Sequence, residues 1–383
     1  MTVPPYRFID RGPEIAAFFA AVRAEPVLAL DLEADSLHHY PERICLVQIS
    51  TPSANVILDP LAAPEVLDGL EPVLADVAVR KILHGGDYDV RLLKRERGVQ
   101  VRNLFDTMIA AQLTGRERFG LAALLEEHFG VVLDKRHQRA DWSRRPLGPE
   151  LLAYAAADTA HLHALAGRLA LELDALGRSA WAAEEFRLLE RIEPGAPKQP
   201  RCLDVKGAGR LAPRQLARLQ ALLELRDELA RTWNRPPFMV FANQLLIDWA
   251  QVPPASRSAI VETRGAGRAL LERVADRVLE ALEHAAALSE EQCPRPEPVR
   301  RTVLSASEAV RLARLKSVRE AVSLRLGLAP GLLVNGAMLE KLSREVENDG
   351  VVSGAPALKS WQTEALGESF RLALAPPLPG TGS

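Results

Sequence analysis

The hydrophobic pattern divides the chain into an early part that is rich in strands and a later part that is almost entirely helical. Short apolar runs of the kind typical of strands fall at about residues 27–34, 43–50, 55–59 and 79–84, with a shorter one near 101–105. From about residue 106 onward, apolar residues recur at helical spacing. Three strands with short connections, followed by strand and helix in alternation, predict an α/β fold with a mixed sheet flanked by helices.

The first of these strands carries two carboxylates on one face. Leu28, Leu30 and Leu32 alternate with Asp31 and Glu33 along it. Successive side chains of a strand point to opposite faces, so the leucines lie on one side and both acids on the other.

Two further segments place acids at positions with defined geometry. Gly85 and Gly86 follow the fourth strand and predict a turn into a helix, with Asp89 close to the start of that helix. Tyr154 and Asp158 lie four residues apart in an alanine-rich stretch that favours a helix, so the phenol and the carboxylate share one face. Three separate segments therefore offer acids to one site.

Clustered carboxylates favour bound cations. Unpaired acids in one cleft raise one another's pKa and are costly unless positive charge lies between them. Mg²⁺ and Mn²⁺ prefer oxygen ligands, and two such ions about 3.5 to 4 Å apart can activate water and stabilise a leaving oxygen at phosphorus. Tyr154, which is neutral at pH 7, can orient the attacking water through its hydroxyl.

These residues lie in a collinear set of motifs that resembles the ribonuclease D family of 3′-5′ exonucleases. The other matches are residues 28–33 with Tyr40, 45–49, 84–93, 105–107, Gln138, 141–142 and 145–147. The resemblance implies a ribonuclease H-like fold and a metal-dependent exoribonuclease that releases nucleoside 5′-monophosphates from RNA 3′ ends, with maturation of tRNA precursors as its task. It also implies catalytic roles for Asp31, Glu33, Asp89, Tyr154 and Asp158. By the same resemblance, Asp31, Glu33 and Asp158 would hold the metal ion that activates water, and Asp31 and Asp89 the other.

Asp87 and Asp89 both lie near enough to the glycine turn to reach a metal. The family pattern has a histidine followed five residues later by the acid, as in His84 and Asp89. Asp87 is expected to cap the helix instead. His84 and Gln48 are candidates to line the substrate pocket, with a satisfied, partly buried polar side chain as the alternative for each.

A basic segment precedes the third group of acids. Residues 135–145 contain five Lys or Arg against one acid, together with Trp142. Phosphate contact and base stacking are what a single RNA strand offers, so Arg136, Arg139 and Trp142 are predicted to bind substrate. In the alternative interpretation, Trp142 packs the fold and the arginines form ordinary surface ion pairs.

Composition indicates an intracellular protein. The chain has 383 residues, 48% of them hydrophobic, and a formal net charge of −2, which gives no global basic signature. Its three cysteines are far apart, which argues against a disulfide framework or a cysteine zinc site. No signal segment and no apolar stretch of about 18 residues is present. A cytoplasmic location without membrane association is expected.

Proline-rich breaks predict the domain boundaries. Residues 193–200 contain three prolines, and a second break covers 294–298. The expected organisation is an exonuclease domain (1–192), a linker (193–204), a helical domain (205–292), a second helical domain (300–374) and a disordered tail (375–383). The first helical domain resembles the helicase-and-RNase-D C-terminal (HRDC) domain, a small nucleic-acid-binding module.

A weak repeat supports the second helical domain. Residues 226–246 and 319–339 match at an offset of 93, with Arg226 over Arg319, Pro237 over Pro330 and Leu246 over Leu339. The asparagines at 243 and 335 miss this register by one residue.

Two other functions fit the sequence. The chain could be a nucleic-acid-binding protein with a vestigial nuclease domain, although the intact set of five residues argues against this. It could also be a 3′-5′ exonuclease that acts on DNA, because no motif encodes contacts to the 2′-hydroxyl. The sequence leaves the preferred metal, the RNA that is trimmed and the oligomeric state undetermined.

Overall fold

The computed structural model describes residues 5–134, 136–195, 199–296, 304–344 and 358–374. Lys135 and the expected tail at 375–383 lie outside the described residues. The chain forms two units. The first unit comprises residues 1–33, 44–194 and 302–383, and the second unit comprises residues 34–43 and 195–301.

A six-stranded mixed sheet forms the centre of the first unit. Its strands are β1 (Arg7–Ile9), β2 (Val27–Ala34), β3 (Ile44–Ser50), β4 (Asn55–Leu58), β5 (Arg80–Leu83) and β6 (Leu104–Asp106). They lie in the order β1-β4-β3-β2-β5-β6. The β3 and β4 pair is antiparallel, whereas β1 with β4, β2 with β5 and β5 with β6 are parallel. The predicted mixed sheet is confirmed. The sequence pattern missed β1, which is only three residues long.

Eight helices of the first unit precede the proline-rich linker among the described residues. They are α1 (Gly12–Val22), α2 (Glu65–Ala75), α3 (Asp87–Arg97), α4 (Thr107–Leu113), α5 (Leu121–Phe129), α6 (Pro149–Ala160), α7 (Leu162–Ala175) and α8 (Ser179–Glu190). Helix α6 packs on β3 and β4, and α7 packs on β5. Leu28, Leu30 and the whole of β3 are buried between these layers. The sheet therefore has a helix-covered face on which side chains from strands and helices meet.

The second unit is helical. Two short 3-10 turns, Cys202–Asp204 and Ala208–Arg210, precede α9 (Pro213–Thr232), α10 (Pro237–Val240), α11 (Asn243–Gln251), α12 (Arg257–Val261) and α13 (Arg268–Ala287). The predicted apolar stripe of α9 forms its core, in which Leu216, Leu219, Leu222, Leu223 and Leu229 are buried. The loop 34–43, which follows β2 in sequence, belongs to this unit. Tyr40 of that loop packs against the core and donates a hydrogen bond to Asp227 Oδ1 over 2.6 Å.

The helices after residue 304 repeat this pattern. They are α14 (Ala306–Leu326), α15 (Pro330–Leu333), α16 (Gly336–Arg344) and α17 (Ser360–Leu374). Both α15 and α16 begin and end 93 residues after α10 and α11, and α14 begins 93 residues after α9. The arginine at the matched position makes the same contact in each set. Arg226 donates to the Phe241 carbonyl over 3.0 Å, and Arg319 donates to the Val334 carbonyl over 3.1 Å.

Helix α17 packs against α8 within the first unit. The rings of Trp181 and Trp361 stack with centroids 5.3 Å apart. The Glu184 carboxylate accepts hydrogen bonds from the backbone N–H groups of Ser360 and Trp361, at the start of α17. The last helices therefore pack with the unit that contains the sheet, although the second unit separates the two in sequence. No helix among the described residues is long and apolar enough to cross a membrane.

Candidate active site

Three acids converge at the middle of the sheet. Asp31 and Glu33 lie on β2, between β3 and β5, and Asp158 lies near the end of α6. Each offers one carboxylate oxygen, and these three atoms lie within 4.8 Å of one another. The predicted alternation along β2 and the helical spacing along α6 thus bring together side chains that are more than 120 residues apart in sequence.

Asp89 lies beside this cluster. It lies in the first turn of α3 and is 7% exposed. Burial and the charge of Asp31 raise its pKa well above the ordinary value for an aspartate. The charge of Asp89 contributes in turn to the raised pKa of Glu33. All four predicted acids are therefore electrostatically coupled in one place.

The turn before α3 is held by Asp106, an acid to which the sequence interpretation gave no role. Its carboxylate accepts hydrogen bonds from the backbone N–H groups of Gly85 and Gly86 over 3.2 and 2.7 Å. It also caps α4 by accepting from the N–H groups of Met108 and Ile109. Gly85 has a φ of +69°, which favours glycine. An aspartate directly before a helix is a typical N-cap, so the sequence could have identified the capping of α4 by Asp106, but not its bonds to the glycine turn.

The expectation that Asp87 caps α3 is wrong. The N-cap of α3 is Gly86, and no side chain accepts a hydrogen bond there. Asp87 is exposed and pairs with Arg91, with Arg91 Nε 2.8 Å from Asp87 Oδ1. Arg91 can reach the Asp87 carboxylate because residues four apart in sequence lie on the same face of a helix. Asp87 and Asp89 thus differ sharply in environment, and only Asp89 is buried next to the cluster.

The acidic cluster favours bound cations or protons. Burial raises the pKa of Asp31 to about 7. Burial and then the charge of Asp31 raise the pKa of Asp158 to about 8. Burial and then the charges of the other three acids raise the pKa of Glu33 to about 10. It is therefore unfavourable for these half-buried carboxylates to be ionised together. A divalent cation bound between them would remove that cost. Their hard oxygen donors suit Mg²⁺ or Mn²⁺.

Tyr154 presents a neutral phenol to the cluster. Burial and then the negative charges of Asp158, Glu33 and Asp31 raise the pKa of Tyr154 above its ordinary value, so the hydroxyl stays protonated at neutral pH. The Gln138 side chain opposes this rise and lowers the pKa of Tyr154. The ring of Trp142 lies 6.0 Å from the Tyr154 ring, centroid to centroid, and supports it from the apolar side.

His84 is neutral and has a defined tautomer. The Thr107 hydroxyl donates its one hydrogen to the Leu83 carbonyl over 3.0 Å, so it accepts from His84 Nδ1, which lies 2.9 Å away. Burial lowers the pKa of His84. The imidazole therefore carries its hydrogen on Nδ1, and Nε2 is left as a hydrogen-bond acceptor.

Gln48 is fully buried in β3. Neither its Nε2 nor its Oε1 has a hydrogen-bond partner within the part of the chain that the structure describes. A buried amide without hydrogen-bond partners destabilises a fold. Its expected contact with substrate stays a prediction.

The basic segment before α6 differs from the expectation at Trp142. Its indole is 1% exposed and packs in an apolar cluster with Cys45 and Leu46, so it has no free face on which a base could stack. The structure agrees with the alternative interpretation, in which Trp142 packs inside the fold. Arg136 is exposed and lies in an ion pair with Asp134 over 2.6 Å, and Arg139 is also exposed.

Comparisons with known proteins identify the family of the chain. A family model for 3′-5′ exonucleases matches residues 6–174, and an HRDC domain model matches residues 215–282. Ribonuclease D of Granulibacter bethesdensis is 30% identical over 372 residues, which cover 95% of this chain and 91% of the relative. Ribonuclease D of Escherichia coli is 32% identical over 294 residues, which cover 76% and 78%.

A solved structure extends the match to the whole fold. The crystal structure of Escherichia coli RNase D, described as an exoribonuclease involved in structured RNA processing, has a TM-score of 0.73 at 27% identity. The match covers 97% of this chain and 98% of that chain. On sequence, fold and the acids it assembles, the chain belongs to the ribonuclease D family.

Proposed function

We propose that this chain is a metal-dependent 3′-5′ exoribonuclease that releases nucleoside 5′-monophosphates and takes part in 3′ maturation of tRNA precursors. The observation that carries the proposal is the convergence of Asp31, Glu33 and Asp158, with carboxylate oxygens within 4.8 Å, in a chain of the ribonuclease D family. The named RNA substrate rests on the relatives, which are ribonucleases D.

Two divalent ions, Mg²⁺ or Mn²⁺, are the proposed cofactors. Asp31, Glu33 and Asp158 would hold one, and Asp31 and Asp89 would hold the other. The donor chemistry fits, since the four groups are carboxylates whose pKa values are raised by burial and, for Glu33, Asp89 and Asp158, also by the charge of Asp31. When bound, such ions supply Lewis-acid activation of water and neutralise charge at the leaving oxygen.

The remaining residues of the site orient substrate and water. The neutral Tyr154 hydroxyl can hydrogen-bond the attacking water and hold it in line with the scissile bond. His84 Nε2, free of its hydrogen, can accept a hydrogen bond from a ribose hydroxyl. Arg136 and Arg139 are exposed and are proposed to contact phosphate, with a weakened role for Arg136 because Asp134 competes for its guanidinium.

The experiment that tests this function is a time course on a 3′-extended, 5′-labelled RNA and its DNA counterpart. Wild type and Asp31→Asn are compared in Mg²⁺, Mn²⁺ or chelator. We expect stepwise shortening of the RNA that chelator or the substitution abolishes. Shortening that survives either treatment would reject the metal mechanism. A faster DNA ladder would favour a DNA exonuclease, and no shortening at all would favour a vestigial nuclease domain.

We also infer that residues 300–374 are a second, diverged copy of the helical module. The support is the recurrence of helix bounds and of the arginine-to-carbonyl contact at an offset of 93. The domain boundaries at 192, 204 and 292 and the cytoplasmic location stay predictions.

A further inference from the structure

The second unit carries an open cavity of about 460 Å³ on its surface. It lies among the end of α9, the start of α13 and the segment that includes α10, and its lining residues are Trp233, Arg235, Met239, Ala269, Leu270 and Arg273. Cavities of about 300 to 1,000 Å³ are typical of sites that hold a small ligand or one group of a larger one. We call this cavity the Trp233 pocket.

An aromatic ring and a guanidinium group form part of its wall. Arg273 Cζ lies 4.8 Å from the centroid of the Trp233 ring. Met239 of α10, which also lines the pocket, is 47% exposed. Indole rings and guanidinium planes are the surfaces on which the unpaired bases of single-stranded nucleic acids stack.

The pocket has an uncompensated positive charge. Within the described residues, the side chains of Arg235 and Arg273 make no hydrogen bond and no ion pair with a carboxylate. The acids around them in sequence are engaged by other arginines: Glu272 by Arg268, Asp276 by Arg257 and Glu228 by Arg277. Two guanidinium groups without a carboxylate partner, one of them over an aromatic ring, suit a phosphate-linked base better than an apolar protein segment.

The helices that follow residue 304 (α14 to α17, the second helical set) include counterparts of α9, α10, α11 and α13 that lack these residues. At the offset of 93, Trp233, Arg235 and Met239 correspond to leucines at positions 326, 328 and 332. At the same offset, Arg273 of α13 corresponds to Leu366 of α17, which is buried. The aromatic and cationic character is therefore specific to the first set.

We propose that the Trp233 pocket binds single-stranded RNA, with one base stacked on Trp233 and Arg273 and the adjoining phosphates held by Arg235 and Arg273. The inference rests on the proposed function, since the RNA is the substrate whose 3′ end is trimmed. It adds a binding site in the helical unit that is separate from the carboxylate cluster. The pocket contributes affinity for RNA and makes no contribution to the hydrolytic step.

The test measures binding of the full-length chain to a long, unstructured, labelled RNA by fluorescence anisotropy. Chelator is present to prevent cleavage, and salt is varied between about 50 and 200 mM. The double variant Arg235→Gln with Arg273→Gln removes both cations of the pocket. Trp233→Leu removes the stacking surface and installs the residue that the second helical set has. The matched control, Arg257→Gln with Arg268→Gln, removes two arginines of the same unit that are already paired.

We expect the double variant to bind about tenfold more weakly and to lower the slope of log affinity against log salt by about 1 to 2. Trp233→Leu should weaken binding by about tenfold at an unchanged slope, because stacking is not ionic. The paired-arginine control should stay within about twofold of wild type. Thermal unfolding of each variant reports whether it folds, and the exposed arginines can be replaced without loss of the core.

Hydrolysis separates this inference from the proposed function. A dinucleotide that occupies the carboxylate cluster has no nucleotide left for the pocket, so the double variant should cleave it at the wild-type rate while its KM for long RNA rises. If the double variant binds RNA with wild-type affinity and still trims RNA, the proposed role of the pocket is wrong and the proposed function of the chain is unaffected. Self-association that is lost in the double variant, with RNA affinity unchanged, assigns the pocket to a second copy of the chain and also overturns the inference.

Discussion

The carboxylate cluster and the Trp233 pocket carry opposite charges, although both are proposed to bind RNA. In the cluster, burial raises the pKa values of Asp31, Glu33, Asp89 and Asp158, and the charge of Asp31 raises those of the other three further. In the pocket, two arginines and an indole lie at an open surface, and the arginines have no ionic partner within the described residues. The cluster repels RNA unless cations intervene, whereas the pocket attracts RNA directly.

The difference predicts how each site responds to substitution. A metal site depends on the charge and position of every ligand, so loss of one oxygen disrupts the whole site. A surface that binds through a few exposed charges and one ring loses affinity in graded steps. The following substitutions test this contrast in order of expected effect.

The largest effect is expected from Asp89→Asn, with Asp87→Asn as its matched control. Asp89 is buried beside Asp31, while Asp87 is exposed and paired with Arg91. Replacement of a metal ligand should lower kcat for RNA trimming by about a thousandfold or more, and replacement of Asp87 should leave it within about twofold. Gel-based trimming assays measure both rates. Equal losses in the two variants would contradict the assignment of the second acid.

Tyr154→Phe should cost less, because the metal site stays complete. Loss of the hydroxyl removes the group that orients the attacking water, so kcat should fall by about a hundredfold with KM nearly unchanged. Tyr88→Phe, at an exposed position of α3, is the control and should behave as wild type. A rise in KM without loss of kcat would assign Tyr154 to substrate binding instead.

The crowded cluster should also make the metal-free protein less stable as pH rises. The folded pKa values of Asp31 and Asp158, about 7 and 8, lie above the values near 4 that carboxyl groups have in unfolded chains. These groups therefore contribute full stability below about pH 4 and lose it as the pH rises through their folded pKa values.

Thermal unfolding of wild type and Asp31→Asn in chelator at pH 6 and pH 8 checks this trend. At pH 8 the variant should unfold about 2 to 4 °C above wild type, and at pH 6 the gap should narrow. Mg²⁺ should raise the Tm of wild type more at pH 8 than at pH 6, because binding displaces fewer protons there. If the Tm of metal-free wild type rises from pH 6 to pH 8, the carboxylate cluster does not destabilise the fold as the pH rises.

The smallest effect is expected from Arg136→Gln with Arg139→Gln, measured beside the pocket variants. Asp134 already neutralises Arg136, with a nitrogen-to-oxygen distance of 2.6 Å. RNA affinity should therefore fall by about threefold, with a change in salt slope below that of Arg235→Gln with Arg273→Gln. A larger loss than that of the pocket variants would move the main RNA contact to the segment before α6.

The two helical sets show which structural features the sequence predicts and which it does not. The offset of 93 was visible in Arg226 and Arg319, and the matching helix bounds and carbonyl contacts agree with it. The Trp233 pocket was not visible, because its residues come from α9, α13 and the segment that includes α10, and only packing brings them together. The same holds for the stacking of Trp181 on Trp361, which places the last helix on α8.

The sequence by itself determined five of the six strands of the sheet, the shared face of Asp31 and Glu33, and the spacing of Tyr154 and Asp158, because backbone periodicity fixes which side a residue faces. Tertiary structure alone decided that Trp142 is buried, that Asp106 rather than Asp87 holds the turn before α3, and that α17 joins the first unit. Burial and long-range hydrogen bonds depend on which segments pack together. The local pattern of apolar and polar residues does not identify contacts with residues that are distant in sequence.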